Sequence, residues 1–280
     1  MDKKSLAVIV LTLDEERHIR RCLESVKDIT SQIIIVDCGS ADDTLEIART
    51  FGAEIYSHPF INQAEQFNWA LDNIDIKSEW ILRLDADEYL TPELAKEIKS
   101  ALHGVDDGVC GFYMKRRVYF MGRWIRHGGC YPIWLLRLFR NGAGRSEERE
   151  MDEHIVLGRG KTARLRNDFI DENLSDLRWW TDKHNGYSSR EAEERTRNEK
   201  ASRNTVVKGQ AGRKRFIKNR FYAKLPLFLR SFAYFIFRYV FFGGFLDGKE
   251  GLIFHFLQGY WHQFLTDAKE YEAMKKIKHG

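Results

Sequence analysis

Short apolar runs alternate with helical repeats along the first hundred residues. Leu6–Thr12 is a continuous apolar run, which is typical of a parallel strand covered on both faces. A helical spacing of i, i+3, i+4, i+7 follows, carried by Ile19, Cys22, Leu23 and Val26. Further strands are predicted at Ile33–Val36, Ala53–Tyr56 and Trp80–Leu84. The alternation predicts an α/β fold with a doubly wound, mostly parallel sheet.

Acidic residues stand where several of these strands end. Asp14, Asp37, Asp85 and Asp87 all follow predicted strands. Because ligands of open α/β sheets bind beyond the carboxyl ends of the strands, we expect these side chains to meet in one crevice. Asp85 and Asp87 lie two residues apart, so on an extended chain both would point to the same side. Such a pair suits a hard divalent cation that also binds phosphate, although a solvated acidic turn would have the same residues.

A second chemistry fits the same pair of aspartates. Dehalogenase-like phosphotransferases also end a strand in D-x-D, and their first Asp is the nucleophile. Those enzymes usually have Thr or Val two residues after the second Asp, whereas this chain has Tyr89. Their motif also follows the first strand rather than the fourth. The phosphotransferase remains an alternative at this point.

The pattern changes after Val109. Short strands and glycine-rich turns from Val109 to about Arg166 predict an antiparallel extension that completes the site, and Asp176–Ala201 predicts a solvated helix. We therefore expect a catalytic domain at residues 1–166 and a helical C-terminal region at residues 167–280.

Charge and aromatic residues are unevenly distributed, although the net charge is only +4. Lys208–Lys224 holds seven Lys or Arg and no acidic residue, and the apolar segment Leu225–Phe242 follows. Arg230 and Arg238 interrupt that segment, so a helix lying in an anionic membrane surface, with its arginines reaching outward, is favoured over a spanning helix. A buried helical subdomain or a dimer interface is the alternative. No nucleic-acid partner is expected, because the aromatic residues lie apart from the basic run.

The four cysteines, at positions 22, 38, 110 and 130, form no C-x-x-C pair. They indicate neither a zinc site nor a disulfide framework, so a reducing compartment is expected. The first apolar run is shorter than a signal-peptide core. Together with the basic run, this predicts a cytoplasmic protein bound peripherally to the inner face of the cell membrane.

Several ordered motifs in the first 160 residues resemble family 2 glycosyltransferases. They are Leu11–Glu16, Cys22–Ser25, Ile34–Thr44, Asn68–Leu71 and Trp80–Glu88. The segment Gly122–Gly129, with Tyr131-Pro132 and Arg137–Arg140, resembles the subgroup that acts on lipopolysaccharide core or exopolysaccharide.

The resemblance implies a GT-A fold, a nucleotide diphosphate sugar such as a UDP-sugar, a Mg²⁺ or Mn²⁺ ion, and inversion at the anomeric carbon. Thr12, Glu15 and Asp37 would then hold the base and ribose. Asp85 would lie near the ribose and share the metal with Asp87. Asp14 and Asn68 complete the implied donor-binding set.

Two departures from the family pattern concern the diphosphate. Asp14 stands where the family commonly has Asn, and Phe67 stands where an Arg often precedes the Asn. The missing contact would come from elsewhere, with Arg126 and Arg137 as candidates.

An inverting transfer also needs a base for the acceptor hydroxyl. The resemblance places an acidic residue in Met151–His154, where Glu153 aligns best and Asp152 is one residue away. His154 would orient either carboxylate or lie on the surface. The expected activity is sugar transfer to a lipid-linked or lipopolysaccharide acceptor. A membrane-bound protein that binds nucleotide sugars without catalysis is a further alternative.

Overall fold

The computed structural model describes residues 5–147, 153–198 and 225–279, which divide into two compact units. Residues 1–119 and 132–174 form the first unit, and residues 120–131 and 175–280 form the second. Asp152 and the whole basic run at 208–224 lie outside the described residues.

The first unit is an α/β sandwich. Its strands are β1 (Leu6–Thr12), β2 (Gln32–Asp37), β3 (Glu54–Ser57), β4 (Trp80–Asp85), β5 (Glu88–Leu90), β6 (Val109–Phe120), β8 (Ile133–Arg140), β9 (Gly144–Ser146), β10 (Ile155–Leu157) and β11 (Lys161–Glu172). Strand β7 (Arg123–Ile125) belongs to the second unit. The helices are α1 (Ile19–Val26), α2 (Thr44–Thr50), α3 (Gln63–Asn73) and α4 (Pro92–His103).

The main sheet has the strand order β3-β2-β1-β4-β8-β6-β11-β5. Strands β3, β2, β1 and β4 are parallel, so the ends of β1, β2 and β4 meet at one edge. Strand β8 is antiparallel to both β4 and β6, as expected for the extension after Val109. The observed sheet confirms the predicted mixed α/β class with a mostly parallel centre.

Burial explains why the first strands read as continuous apolar runs. Val8, Val10 and Ile35 pack on one face of the sheet, against the buried residues of α1 and α4. Ile9 and Ile34 pack on the other face, with residues of α3. Since both faces are covered, no polar alternation is possible in β1 or β2. Helix α4 begins as its sequence predicts, with Thr91 capping the backbone N–H of Leu94 at 3.2 Å.

The second unit is helical. Its elements are α5 (Leu177–Asn198), α6 (Leu229–Ile236), a π-helical turn (Phe237–Phe241), a 3₁₀ turn (Gly244–Asp247), α7 (Gly248–Phe254), a second π-helical segment (His255–Trp261) and α8 (His262–His279). Over the described ranges, no single helix has the length and hydropathy of a membrane span. One pair, Leu229–Phe241 with Gly244–Lys276, meets both criteria jointly but is bent by 70° at the break.

Two expectations for the second half change. The expected boundary at 166/167 falls inside β11, because this strand continues pairing with β6 as far as Glu172. The arginines of Leu225–Phe242 do not reach outward. Arg230 is 6% exposed and binds Asp267 and Glu270, while Arg238 donates to the carbonyl of Gly128 at 2.9 Å.

Candidate active site

The loops after β1 and β2 are tied together by Asp37, which is 3% exposed. Its Oδ1 accepts from the hydroxyls of Thr12 and Ser40, at 2.8 and 2.5 Å. Its Oδ2 accepts from the backbone N–H groups of Gly39 and Ser40, at 2.8 and 2.9 Å. Burial alone would raise the pKa of Asp37, but these hydrogen bonds outweigh it and lower the pKa. Four hydrogen bonds fill the lone pairs of the carboxylate, so Asp37 organises this loop, and its direct contact with a nucleotide stays a prediction.

Asp14 has a left-handed backbone, with φ of 53°. Asp and Asn tolerate this region better than other non-glycine residues, which explains how Asp substitutes for the family's Asn. The Asp14 backbone N–H donates to the Ser40 hydroxyl at 2.9 Å, and its Oδ1 accepts from the Ala41 N–H at 2.8 Å. Asp14 therefore shapes the loop that displays Glu15.

Glu15 is oriented by a buried histidine that the sequence did not single out. His18 Nδ1 lies 2.6 Å from Glu15 Oε2, and the Leu174 N–H donates to His18 Nε2 at 2.8 Å. Because Nε2 accepts, the proton of the neutral ring is on Nδ1 and points at Glu15. His18 thus joins the loop after β1 to the end of β11.

Asp85 ends β4, and Asp87 lies in a two-residue turn before β5 rather than on the extended chain expected from the spacing. Asn173 Nδ2 donates to Asp87 Oδ2 at 3.1 Å, and the Glu172 N–H donates to the Asp87 carbonyl at 3.1 Å. Residues 172–174 therefore hold both Asp87 and, through His18, Glu15.

Arg137 of β8 bridges two carboxylates of the D-x-D-E segment. Its Nη2 lies 3.0 Å from Asp85 Oδ2 and 2.6 Å from Glu88 Oε1. Burial alone would raise the pKa of Asp85, but Arg137 and Arg83 hold it well below its usual range. Burial raises the pKa of Glu88, Arg137 opposes this only in part, and Asp85 adds to the rise. Arg137 is 6% exposed and committed to this bridge.

Asp171 adds a further carboxylate, because β11 pairs antiparallel with β5 and places it opposite Glu88. Arg116 Nη1 lies 3.2 Å from Asp171 Oδ2. Burial raises the pKa of Asp171, and Asp87 and Asp85 add to the rise although Arg116 opposes it. Negative charge is therefore concentrated at this edge of the sheet.

Glu153 lies near Asp85 because both carboxylates contact Arg83, a buried residue of β4. Arg83 Nη2 donates to Glu153 Oε1 at 3.0 Å and lies 3.6 Å from Asp85 Oδ1. The guanidinium also lies 5.1 Å from the ring centre of Phe67, the residue that stands where the family often has Arg. His154 turns to Glu147, with Nδ1 3.6 Å from its Oε2. The alternative base, Asp152, lies outside the described residues.

Asn68 clamps helix α3 to strand β9. Its Oδ1 accepts from the Ser146 N–H at 2.9 Å, and its Nδ2 donates to the Ser146 carbonyl at 3.0 Å. Asn68 is 6% exposed. Its contact with a donor stays a prediction. Arg126 belongs to the second unit.

The carboxylates at this edge fit a divalent cation whose remaining ligands are phosphate oxygens. Within the described residues, no group of three or more His, Cys, Asp or Glu side chains is placed to hold a metal by itself. Mg²⁺, however, is usually held by one or two carboxylates together with substrate phosphates and water. Asp85 Oδ1 is buried and accepts no hydrogen bond in this part of the chain, so it has a lone pair for such an ion.

Five functional neighbours were not singled out from the sequence for these roles: His18, Arg83, Glu88, Asp171 and Asn173. Strand pairing or loop packing brings each of these residues to its partner. The sequence carries no local signal for most of them, and only the acid that follows D-x-D could have been found by inspection.

Comparison with known proteins finds similarity to glycosyltransferases. The model of glycosyl transferase family 2 matches residues 7–174. An uncharacterized glycosyltransferase of Rickettsia typhi is 38% identical over 96 residues, which are 34% of this chain and 32% of the relative. The alignment therefore spans about a third of such relatives. The lipopolysaccharide core biosynthesis glycosyltransferase LpsC of Rhizobium meliloti is 28% identical over 214 residues, 72% of this chain and 75% of LpsC.

Among solved structures, glucosyl-3-phosphoglycerate synthase of Mycobacterium tuberculosis, in a complex with Mn²⁺ and UDP, is 20% identical with a TM-score of 0.34. The alignment covers 41% of this chain and 44% of that one. The family match covers more than half of the chain, including the edge of the sheet that carries the carboxylates. Because the D-x-D segment lies inside this match, the family 2 interpretation is favoured over the dehalogenase-like alternative. The chain belongs to glycosyl transferase family 2.

Proposed function

We propose that this protein is an inverting, metal-dependent glycosyltransferase that moves a sugar from a UDP-sugar to a lipid-linked or lipopolysaccharide acceptor. One observation carries the proposal: Asp85 and Glu153 lie at the same guanidinium, that of Arg83. The residue aligned with the family's base and the strand-end carboxylate are thereby neighbours, although they are far apart in sequence.

The donor half of the site consists of the loops after β1, β2 and β4. Asp87 and Asp85 would hold Mg²⁺ or Mn²⁺, which supplies neutralisation of the charge that develops on the diphosphate leaving group. Glu15, oriented by His18, presents a carboxylate for a ribose hydroxyl, while Thr12 and Asp37 fix the loop that receives the base.

Glu153 is the proposed base. Its carboxylate accepts the proton of the acceptor hydroxyl as the oxygen attacks the anomeric carbon and the bond to the diphosphate breaks. Arg83 orients the carboxylate by its hydrogen bond to Oε1. Only one oxygen is used in that hydrogen bond, so the carboxylate retains lone pairs for the proton.

The acceptor and the location follow from two further observations. LpsC, which shares 28% identity over most of both chains, is named for lipopolysaccharide core biosynthesis. The second unit also exposes large apolar side chains, among them Phe232 and Phe241. We therefore place the enzyme at the cytoplasmic face of a membrane, next to an acceptor anchored in lipid.

The test is transfer and donor hydrolysis with a panel of UDP-sugars and Mn²⁺, in wild type, Glu153→Gln and Asp72→Asn. Glu153→Gln should bind UDP-sugar normally and lose transfer by about 100-fold or more, because Gln cannot accept the proton. Asp72 is half exposed and pairs with Arg145 on the surface, so Asp72→Asn is the control that should retain activity.

Near-normal transfer by Glu153→Gln would refute its role as base and move that role to Asp152. Donor binding by wild type without any transfer or hydrolysis, across lipid-linked acceptors, would favour the non-catalytic nucleotide-sugar-binding protein.

A further inference from the structure

An aromatic tip extends from the helical break of the second unit. We use this name for Phe237, Val240, Phe241, Phe242, Phe245 and Leu246. Each is exposed by about half or more, and Phe241 by 75%. Soluble proteins seldom expose several large apolar side chains within ten residues, and such patches usually mark an interaction surface.

The charged side chains of the same segment point away from the tip. Arg230 donates from Nε to Asp267 Oδ1 at 2.8 Å and from Nη2 to Glu270 Oε2 at 2.6 Å. Arg238 donates to the carbonyl of Gly128 at 2.9 Å and lies 2.9 Å from the sulfur of Cys130. Both arginines are therefore satisfied by the unit itself, and the outer face from Phe237 to Leu246 is left apolar.

A glycine cradle holds the tip against the loop at 127–129. The backbone N–H of Gly128 donates to the carbonyl of Phe242 at 2.9 Å. The His255 ring fills the space beside two glycines, where a Cβ at Gly128 would lie 2.1 Å and one at Gly244 2.6 Å from ring carbons. The tip is therefore a packed, preformed surface rather than a loose end.

Two exposed cations lie in β7 and in the residue that follows it, shortly before this loop. Arg123 is about half exposed, and its Nη2 lies 3.5 Å from the Leu246 carbonyl. Its Nη1 lies 3.7 Å from Glu250 Oε2, which is also partly exposed. Arg126 is exposed, with its guanidinium 5.3 Å from the ring centre of Trp124. An apolar tip with adjacent guanidinium groups matches the acyl chains and phosphates of an anionic lipid leaflet.

We propose that the aromatic tip inserts into an anionic bilayer while Arg123 and Arg126 contact lipid phosphates. The proposal rests on the membrane location proposed above and names the surface responsible. A second copy of the chain is a poorer occupant, because a symmetric contact through this surface would bring the same cations together.

The experiment is flotation of the full chain with vesicles of phosphatidylcholine, with or without phosphatidylglycerol. The tip variant is Phe241→Ser with Phe245→Ser, and the rim variant is Arg123→Gln with Arg126→Gln. Ile61→Ser is the matched control, since Ile61 is 63% exposed in the first unit. Circular dichroism checks the fold of each variant, and sedimentation without vesicles checks its oligomeric state.

Wild type and Ile61→Ser should bind phosphatidylglycerol vesicles equally. The tip variant should bind more weakly by on the order of tenfold for each phenylalanine lost. The rim variant should lose affinity only for vesicles that contain phosphatidylglycerol. Because the chain already has seven tryptophans, the signal of Phe241→Trp is its difference from wild type, and this added emission should be blue-shifted and quenched by brominated lipid.

Unchanged vesicle binding by the folded tip variant would overturn this proposal and leave the membrane location standing. Failure of wild type to bind any vesicle would overturn both. A wild-type dimer that the tip variant dissociates would assign the surface to a second copy instead. Hydrolysis of the UDP-sugar without vesicles tests the enzymatic proposal separately, and the tip variant should retain it.

Discussion

Acid should destabilise the second unit through His255, which is fully buried with no hydrogen-bond partner at either ring nitrogen among the described residues. The pKa of His255 is lowered to about 4, chiefly by burial and also by nearby Arg238 and His127, while Asp247 opposes them. In the unfolded chain its pKa is about 6.5. The folded state therefore holds a neutral ring that the unfolded state protonates first.

The direction in which folding stability changes with pH follows from that order of pKa values. Above the unfolded pKa both states are neutral and His255 adds no pH dependence. As the pH falls below about 6.5 the unfolded state gains the proton, so stability is lost until the folded pKa is reached. With pKa values of about 4 and 6.5, the loss between pH 7.5 and 5 is about 2 kcal/mol.

The assay is urea unfolding at pH 7.5 and 5 of wild type, His255→Leu and His103→Leu. Leu has a similar volume and removes no hydrogen bond, so His255→Leu should lie within about 1.5 kcal/mol of wild type at pH 7.5. At pH 5 it should gain about 2 kcal/mol relative to wild type. The exposed control, His103→Leu, should follow wild type. An unchanged difference between wild type and His255→Leu at the two pH values would show that His255 does not cause the loss of stability in acid.

Two further substitutions test packing and charge. Arg137→Met should lower the free energy of unfolding by about 3 kcal/mol or more, because it leaves buried Asp85 and Glu88 without their shared cation, whereas the surface change Arg145→Met should cost about 1 kcal/mol or less; equal losses in urea titrations would contradict this. Gly128→Ala should cost about 3 kcal/mol, because its Cβ meets His255 at positive φ, while Gly52→Ala, with the same φ but open space, should cost about 1 kcal/mol; thermal unfolding distinguishes the two.

The meeting of the strand ends, where we propose that the donor binds, could be predicted from the sequence because the information is local. The runs that become β1, β2 and β4 end in Thr12, Asp37 and Asp85, and parallel pairing aligns these ends without further input. Thr12 is the register partner of Asp37, and Leu11 that of Asp85. The apolar periodicity, together with the rule that parallel strands end at one edge of their sheet, was therefore sufficient to predict that these ends meet.

The partners of these carboxylates could not be located in the same way. Arg137 reaches Asp85 because β8 inserts beside β4, and a register of this kind is set by tertiary packing. The inward turn of Arg230 depends on Asp267, 37 residues later on another helix. The sequence showed that Arg230 interrupts an apolar segment, but it could not show that Arg230 pairs with a buried carboxylate.

The proposed metal-dependent donor site is tested by calorimetric titration of the full chain with UDP-sugar, with and without Mn²⁺, in wild type, Asp87→Asn and the surface control Asp72→Asn. We expect that Mn²⁺ strengthens binding in wild type and Asp72→Asn by tenfold or more, and that Asp87→Asn loses this gain. Equal binding with and without the ion, or a gain that Asp87→Asn retains, would contradict a donor site built on Asp85 and Asp87.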